Sequence, residues 1–455
     1  MARRNLLINR DYARLWAGQA ASTVGDFAFD TTLVLWIGTI LAKNSSGQIA
    51  GWAPAAVSGL MICVFGATMI VGPVAGVFVD RWSHRTTMLM SEIVRAVAVA
   101  ALTALSLLPV DALPVWLWLT VLYVIVFLIN AVARFFTPAR FAVLGDIVEG
   151  EADQARAAGI GQATSATAAI IGPPLAAPLL VTSGLQWALL LNAASYVFSY
   201  FAIRAIRFPA VDAEAHPAEA TTKSRIWPEF VAGLKMFAGN RFLVTLLTIA
   251  VVCQLGTGAI NALDVFFITG NLHANSHLFG LASMCFGIGS IAGALAAGSV
   301  VKALGARATT WVTLLLGGGL FIAYSRQTVF VWGLILVVGF AIPVTMLNTA
   351  LTPLLLQATP KQYLGRMMAV FDPINMSASM ISVIVGGWLA STVLRDFHGS
   401  VLGVHVGRID IIFSVAGLLI VLGGIYAAVA LPRDQGSSDQ IPAQREPVEP
   451  DLEPA

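Results

Sequence analysis

The sequence predicts an all-α integral membrane protein of twelve transmembrane helices, arranged as two pseudo-symmetric six-helix halves. Three observations predict it. Hydrophobic residues make up 58% of the 455-residue chain, and its mean hydropathy is +0.82. Charged residues make up only 11%, against about 25% in ordinary soluble domains. The apolar residues fall in continuous runs of about 20 or more, long enough for a helix to cross a bilayer, and not in the alternating pattern of a closed barrel. This composition excludes a soluble enzyme of ordinary type, a disordered chain and a nucleic-acid binder. The 41 glycines suit close packing of helices in lipid. Cys63, Cys253 and Cys285 sit inside apolar runs without a CxxC pair, so neither a disulfide framework nor a zinc site is expected.

The first run, 15–41, follows Arg3, Arg4, Arg10 and Arg14 and carries Asp26 and Asp30. It is too long and too charged for the apolar core of a signal peptide, so it is read as an uncleaved span. Runs at 53–79, 86–108, 115–135, 157–182 and 185–206 end at charged residues or at Pro and Gly breaks and complete an N-terminal bundle, 1–206. A linker follows at 207–241. Its first part is rich in Pro, Ala and acids and is expected to be flexible. Its second part spaces Trp227, Phe230, Val231, Leu234 and Phe237 as one helix face, which predicts a short interfacial helix. Runs at 242–269, 277–301, 308–325, 328–356, 368–394 and 409–431 form the C-terminal bundle, 242–431. The tail, 432–455, holds two basic and six acidic residues among Pro, Gln and Ser and is expected to be disordered.

Basic residues orient the chain. With the N-terminus cytoplasmic, 21 of the 26 Lys and Arg fall on that side. Lys43, Arg326, Arg395 and Arg408 fall on the other, and Arg95 lies within a span. Both termini are therefore expected inside the plasma (inner) membrane, with an even number of spans between them.

An internal repeat connects the halves. Gly76, Asp80, Arg81 and Arg85 close the second span, and Gly298, Lys302, Gly305 and Arg307 close the eighth. Gly76 and Gly298 stand 222 residues apart, as do Arg85 and Arg307. A duplicated six-span unit of this kind is one way to build a transporter. The segment Gly76–Arg85 resembles the signature of the major facilitator superfamily: Gly, three residues, Asp, a base, any residue, Gly and two bases. Ser83 and His84 stand where that signature has Gly and Arg. The opening Asn9-Arg10-Asp11-Tyr12-Ala13-Arg14-Leu15-Trp16 with Gly25-Asp26, the stretch Phe136-Thr137-Pro138-Ala139-Arg140, and Trp187–Tyr200 with Asn192 and Tyr196 are similar to a drug-efflux branch that includes macrolide and siderophore (enterobactin) exporters. Gly172-Pro173-Pro174-Leu175-Ala176-Ala177 resembles the exporters' Gly-Pro-x-x-Gly-Gly motif, with alanines for its two last glycines. The resemblance implies the major facilitator fold, a cavity lined by the first, fourth, seventh and tenth spans, and contact of Asp80 with the start of the eleventh.

Candidate functional residues are the ionisable groups at membrane depth, where a charge costs at least ~2.5 kcal/mol. Asp26 lies 12 residues beyond Arg14, about 18 Å along a helix. Asp30 shares its face one turn on. Such a pair suits a proton or a cationic drug, with Asp26 the main residue; the structural alternative is a buried pair with Arg95. Glu92, three residues before Arg95, is expected to pair with it locally. Asn130, Gln254, Asn261, Asp264, Thr345 and Asn348 are candidates to line the cavity, Asp264 as either a vestibule residue or a substrate contact. Asp372-Pro373 is read as a helix start. No Arg stands mid-way along the fourth span, where many proton-coupled relatives have one; Arg134 lies at its end. His273 and His277 alone are a weak metal pair, and no metal or cofactor is implied.

No phosphate-binding G-x-x-x-x-G-K-[ST] loop is present, so energy is expected from an ion or substrate gradient. The reading is a monomeric secondary active exporter, not an enzyme, moving an amphipathic drug, antibiotic or siderophore in exchange for protons. The alternatives are a metabolite importer of the same fold and a transporter-like protein with a signalling or structural role.

Overall fold

Lipid offers the backbone no hydrogen-bond partners, so each apolar run closes its own bonds as a helix. The computed structural model describes residues 7–43, 48–79, 81–182, 184–207, 234–235, 239–358, 364–395, 397–401 and 404–431. Asp80, nearly all of the expected interfacial helix, and the tail lie outside these residues.

The first half comprises α1 (Arg10–Leu35, continued by a π-helical turn, Trp36–Leu41), α2 (Ala53–Val79), α3 (His84–Leu105), α4 (Val115–Ile147), α5 (Glu151–Thr182) and α6 (Leu185–Arg204). The second comprises α7 (Arg241–Thr257), α8 (Ile260–Gly270), α9 (Phe279–Ser325), α10 (Phe330–Ala358), α11 (Leu364–Ser391) and α12 (Arg408–Ala430). A short hairpin, β1 (His398–Val401) and β2 (Val404–Gly407), joins α11 to α12; the apolar pattern does not predict it.

Among the described residues, ten stretches are long and apolar enough to cross a membrane. One of them, Ser276–Ser325, has 50 residues, about 75 Å of helix, too long for one crossing. Gly305 folds it in two: its φ of 81° and ψ of 155° lie where only glycine sits without strain. Helix α6 is not among the ten, because Asn192, Ser195, Tyr196 and Ser199 dilute its apolar character. Dividing the long stretch and counting α6 gives the twelve spans expected. The seventh span consists of α7 and α8, separated at Gly258 and Ala259. Ser382 of α11 bridges that break. Its hydroxyl accepts from Ala259 N–H at 3.0 Å and donates to Leu255 C=O at 2.7 Å, which satisfies backbone groups freed by the interruption.

The halves pack alike. In the first, α1 lies against α5 and α6, α2 against α4, and α3 against α4 and α6; in the second, α7 lies against α11 and α12, and α9 against α10 and α12. Arg85 donates to the C=O of Arg204 at the end of α6, at 2.9 Å. Its repeat mate Arg307 donates to Ala428 C=O near the end of α12, at 2.8 Å. The duplicated turn thus ties down the last helix of each half, where a cation meets the negative end of the helix dipole. Between halves, α2 meets α11 and α5 meets α9. Ala55 N–H donates to Ser391 Oγ at 2.9 Å, and Gly280 lies so close to Pro173 and Pro174 that a side chain there would strike their backbone. These contacts lie at the end opposite the termini. Toward the termini end, Gly76, Gly159 and Gly161 have open space beside them.

Helices α4 and α5 overrun the expected spans most. Past position 135, α4 continues to Ile147, and α5 starts at Glu151 instead of 157. Phe136, Ala139, Val143, Ile147 and Ala157 explain the extension: with Tyr12 and Leu15 they form a second apolar cluster at the termini end.

Candidate functional site: a charged cluster and an aromatic cavity

The first site joins α1, α3 and α6. A side chain at Gly25 would collide with Asn192 and Ser195, so glycine lets α1 approach α6 closely. Asp26 follows it. Arg95 of α3 donates through Nη2 to both Asp26 oxygens, at 2.9 and 2.8 Å. Tyr196 of α6 donates to Asp26 Oδ1 at 2.5 Å, and its ring lies 4.1 Å beneath the guanidinium. Asn192 Nδ2 donates to the Tyr196 hydroxyl at 3.3 Å. Glu92 accepts from Ser199 Oγ at 2.8 Å and stands 3.9 Å from Arg95 Nη1. The local pair expected of Glu92 and Arg95 is thus the longer contact, and Asp26 is the closer partner of Arg95. Access is unequal: the Glu92 and Arg95 side chains are 0% and 5% exposed, whereas that of Asp26 is 39% exposed. The cluster opens to its surroundings through Asp26. Asp30, one turn on, is exposed and takes no part in these bonds.

The second site lies between the halves. A cavity of about 340 Å³ is lined by Phe27 and Pro173 from the first half, and by Asn261, Asp264, Phe286, Phe321, Tyr324 and Phe340 from the second. Its volume falls in the range of small-molecule pockets. Asp264 accepts from the Tyr324 hydroxyl at 2.7 Å. The Phe321 and Phe340 rings stack at 4.9 Å. No cation lies within ion-pair distance of Asp264 among the described residues.

Asn130 donates to Val126 C=O within its own helix, at 3.0 Å. Gln254 accepts from Thr257 at 3.4 Å, the Thr345 carbonyl accepts from Thr349 Oγ at 3.1 Å, and Asn348 is exposed. None of these four lines the cavity that holds Asn261 and Asp264. Gly172 abuts Val24, Phe27 and Ala28 of α1, so Gly172 and Pro173 set the approach of α5 to α1 and to α9. Arg81 is exposed in the turn. Among the described residues, no cluster of potential metal ligands occurs. Sequence reasoning missed Ser199 and Tyr324 and the phenylalanines. A polar stripe at Asn192, Tyr196 and Ser199, spaced by four and three residues on α6, was available as a signal. Phenylalanines facing a cavity look no different in sequence from those facing lipid.

A model of the Major Facilitator Superfamily matches residues 15–267 and again 246–453. The chain belongs to this superfamily. It is a multi-pass membrane transporter, and its relatives are transporters rather than enzymes. It is 22% identical over 447 residues to an uncharacterized MFS-type transporter, YkuC, of Bacillus subtilis (strain 168), covering 96% of each chain. It is 24% identical over 253 residues to macrolide efflux protein A of Streptococcus pyogenes, covering 55% of this chain and 56% of that one. Among solved structures, the nucleoside transporter NupG superposes with a TM-score of 0.67 at 11% identity, covering 94% of this chain and 100% of that one. That likeness concerns the fold.

Proposed function

We propose that this superfamily member is a secondary active exporter that moves an amphipathic, amine-bearing small molecule by alternating access, in exchange for protons. The observation that carries the reading is the cluster at Asp26: a buried Arg95 and Glu92 reach their surroundings through one partly exposed carboxylate on α1. The next residue, Phe27, lines the cavity. Arg95 is held by Asp26 in this conformation; a proton arriving at Asp26 would release that bond, and its departure would restore it. Such a contact, made and broken, links proton movement to helix movement. The cargo would sit against the phenylalanines with its amine near Asp264, which supplies charge and aromatic faces together. Similarity to a macrolide efflux protein supports export. The excess of basic residues on one side supports cytoplasmic termini in the plasma membrane. The two bundles would rock as units, 1–206 against 242–431, across the 207–241 linker.

Acid-loaded everted vesicles test this. Adding an aromatic amine should release protons from the lumen of wild-type vesicles. Asp26→Asn should abolish that release with membrane insertion unchanged. Undiminished release from the variant would remove Asp26 from the mechanism, and proton-coupled loss of preloaded amine from the lumen would favour the importer.

A further inference from the structure

Two stretches that carry the efflux resemblance, Asn9–Trp16 and Phe136–Arg140, have no part in the cluster or the cavity. The fold brings them together. Asn9 Nδ2 donates to Ile147 C=O at 2.6 Å, Tyr12 to Ala157 C=O at 3.1 Å, and Trp16 Nε1 to Thr164 Oγ at 2.8 Å. These bonds tie the start of α1 to the end of α4 and the start of α5. Between the three helices lies a cavity of about 320 Å³ at the termini end. Its walls include apolar Leu15, Phe141 and Leu144. Its one charged wall residue is Arg140, which donates to Gln19 Oε1 at 2.9 Å. A guanidinium has five N–H donors, and no carboxylate lies within ion-pair distance of Arg140 among the described residues. Gln19 Nε2 is itself buried without an acceptor.

We infer that this cavity is a binding site for the oxyanion group of an amphipathic acid, with Arg140 as its charge partner and Gln19 as a second donor. A guanidinium in a half-enclosed, partly apolar pocket favours a carboxylate or phosphate with an apolar body beside it. The source is a soluble organic acid or the headgroup of an anionic phospholipid.

Thermal unfolding of the full-length protein in uncharged detergent tests the site, followed by the labelling of Cys63, Cys253 and Cys285 with a thiol dye. Probes are benzoate, benzylamine, dihexanoyl phosphatidylglycerol and dihexanoyl phosphatidylcholine. Ligand bound to the folded state raises the midpoint. Benzoate or phosphatidylglycerol should raise it, and benzylamine and phosphatidylcholine should not. A response to benzoate assigns the site to soluble acids; a response to phosphatidylglycerol alone assigns it to lipid. Arg140→Gln should need about tenfold more of the active anion for the same shift, and Arg140→Lys less than that. Gln19→Glu places a carboxylate beside Arg140. It should abolish the anion response while raising the unliganded midpoint, an outcome that a purely structural role for Arg140 does not produce. Equal responses in wild type and Arg140→Gln, a retained response in Gln19→Glu, or no anion response in wild type would overturn the inference.

Discussion

Each half of this transporter holds a carboxylate bonded to a tyrosine on a neighbouring helix, and the two pairs differ in what surrounds them. Asp26 takes the Tyr196 hydroxyl and both contacts from Arg95. Asp264 takes the Tyr324 hydroxyl among phenylalanines, with no cation in reach among the described residues. The first carboxylate is neutralised by the protein; the second has a hydrogen bond but no countercharge. A charge in an apolar setting is tolerated only when paired. Under the proposed function the same local chemistry does different work: a clamp between helices in the first half, and a docking point for a ligand's own cation in the second.

Arg95 carries the largest share of this difference. Arg95→Ala leaves Glu92, which is fully buried, facing Asp26 without a cation between them. Removing one partner of a buried pair costs about 3–5 kcal/mol, so denaturant unfolding in micelles should show a loss of that order. Asp26→Asn combined with Arg95→Ala should recover part of it, because coupled sites are not additive. Independent, additive losses would mean that the clamp does not act as a unit.

A smaller effect is expected at Asp264, and it should fall on transport. Asp264→Asn keeps the shape and the hydrogen bond of the site but removes its charge. Efflux of an aromatic amine should fall by about 30-fold, corresponding to roughly 2 kcal/mol for a lost charge contact. Efflux of a neutral compound of the same size should be little changed. An equal fall for both would make Asp264 a structural residue and leave the second pair without its distinct role.

Much of this was legible in the sequence. Composition and the length of the runs fixed twelve spans, because the bilayer imposes its thickness on any helix that crosses it. The 222-residue repeat at Arg85 and Arg307 is reproduced in space, each arginine reaching the last helix of its own half. The Asp26–Arg95 pair was legible in sequence only as an alternative, beside a local Glu92–Arg95 pair; the structure makes it the closer contact. Other features depend on which way a helix face turns. Glu92 is tied to Ser199 on a distant helix, not chiefly to Arg95 one turn away. Asn130 satisfies its own helix instead of facing a ligand. The break in the seventh span at Gly258 depends on a serine more than 120 residues away, a contact that no local pattern announces.

The finest distinction between the pairs lies in their tyrosines. Replacing Tyr324 by Phe leaves Asp264 half-buried among aromatic rings without its hydroxyl donor. An acceptor orphaned away from water costs up to about 3 kcal/mol, and a half-buried one about 1–2 kcal/mol. Replacing Tyr196 by Phe removes one donor from Asp26, yet the two Arg95 contacts remain and the ring still lies under the guanidinium. That loss should be about 1 kcal/mol, the net worth of one ordinary hydrogen bond. Unfolding of the two single variants, measured side by side, should therefore rank Tyr324→Phe as the more destabilised. The ranking follows from redundancy: a carboxylate with several partners tolerates the loss of one, and a carboxylate with a single partner does not. The reverse order would mean that the Tyr196 hydroxyl, and not Arg95, holds Asp26 in place, and the clamp would then have to be rebuilt around α6.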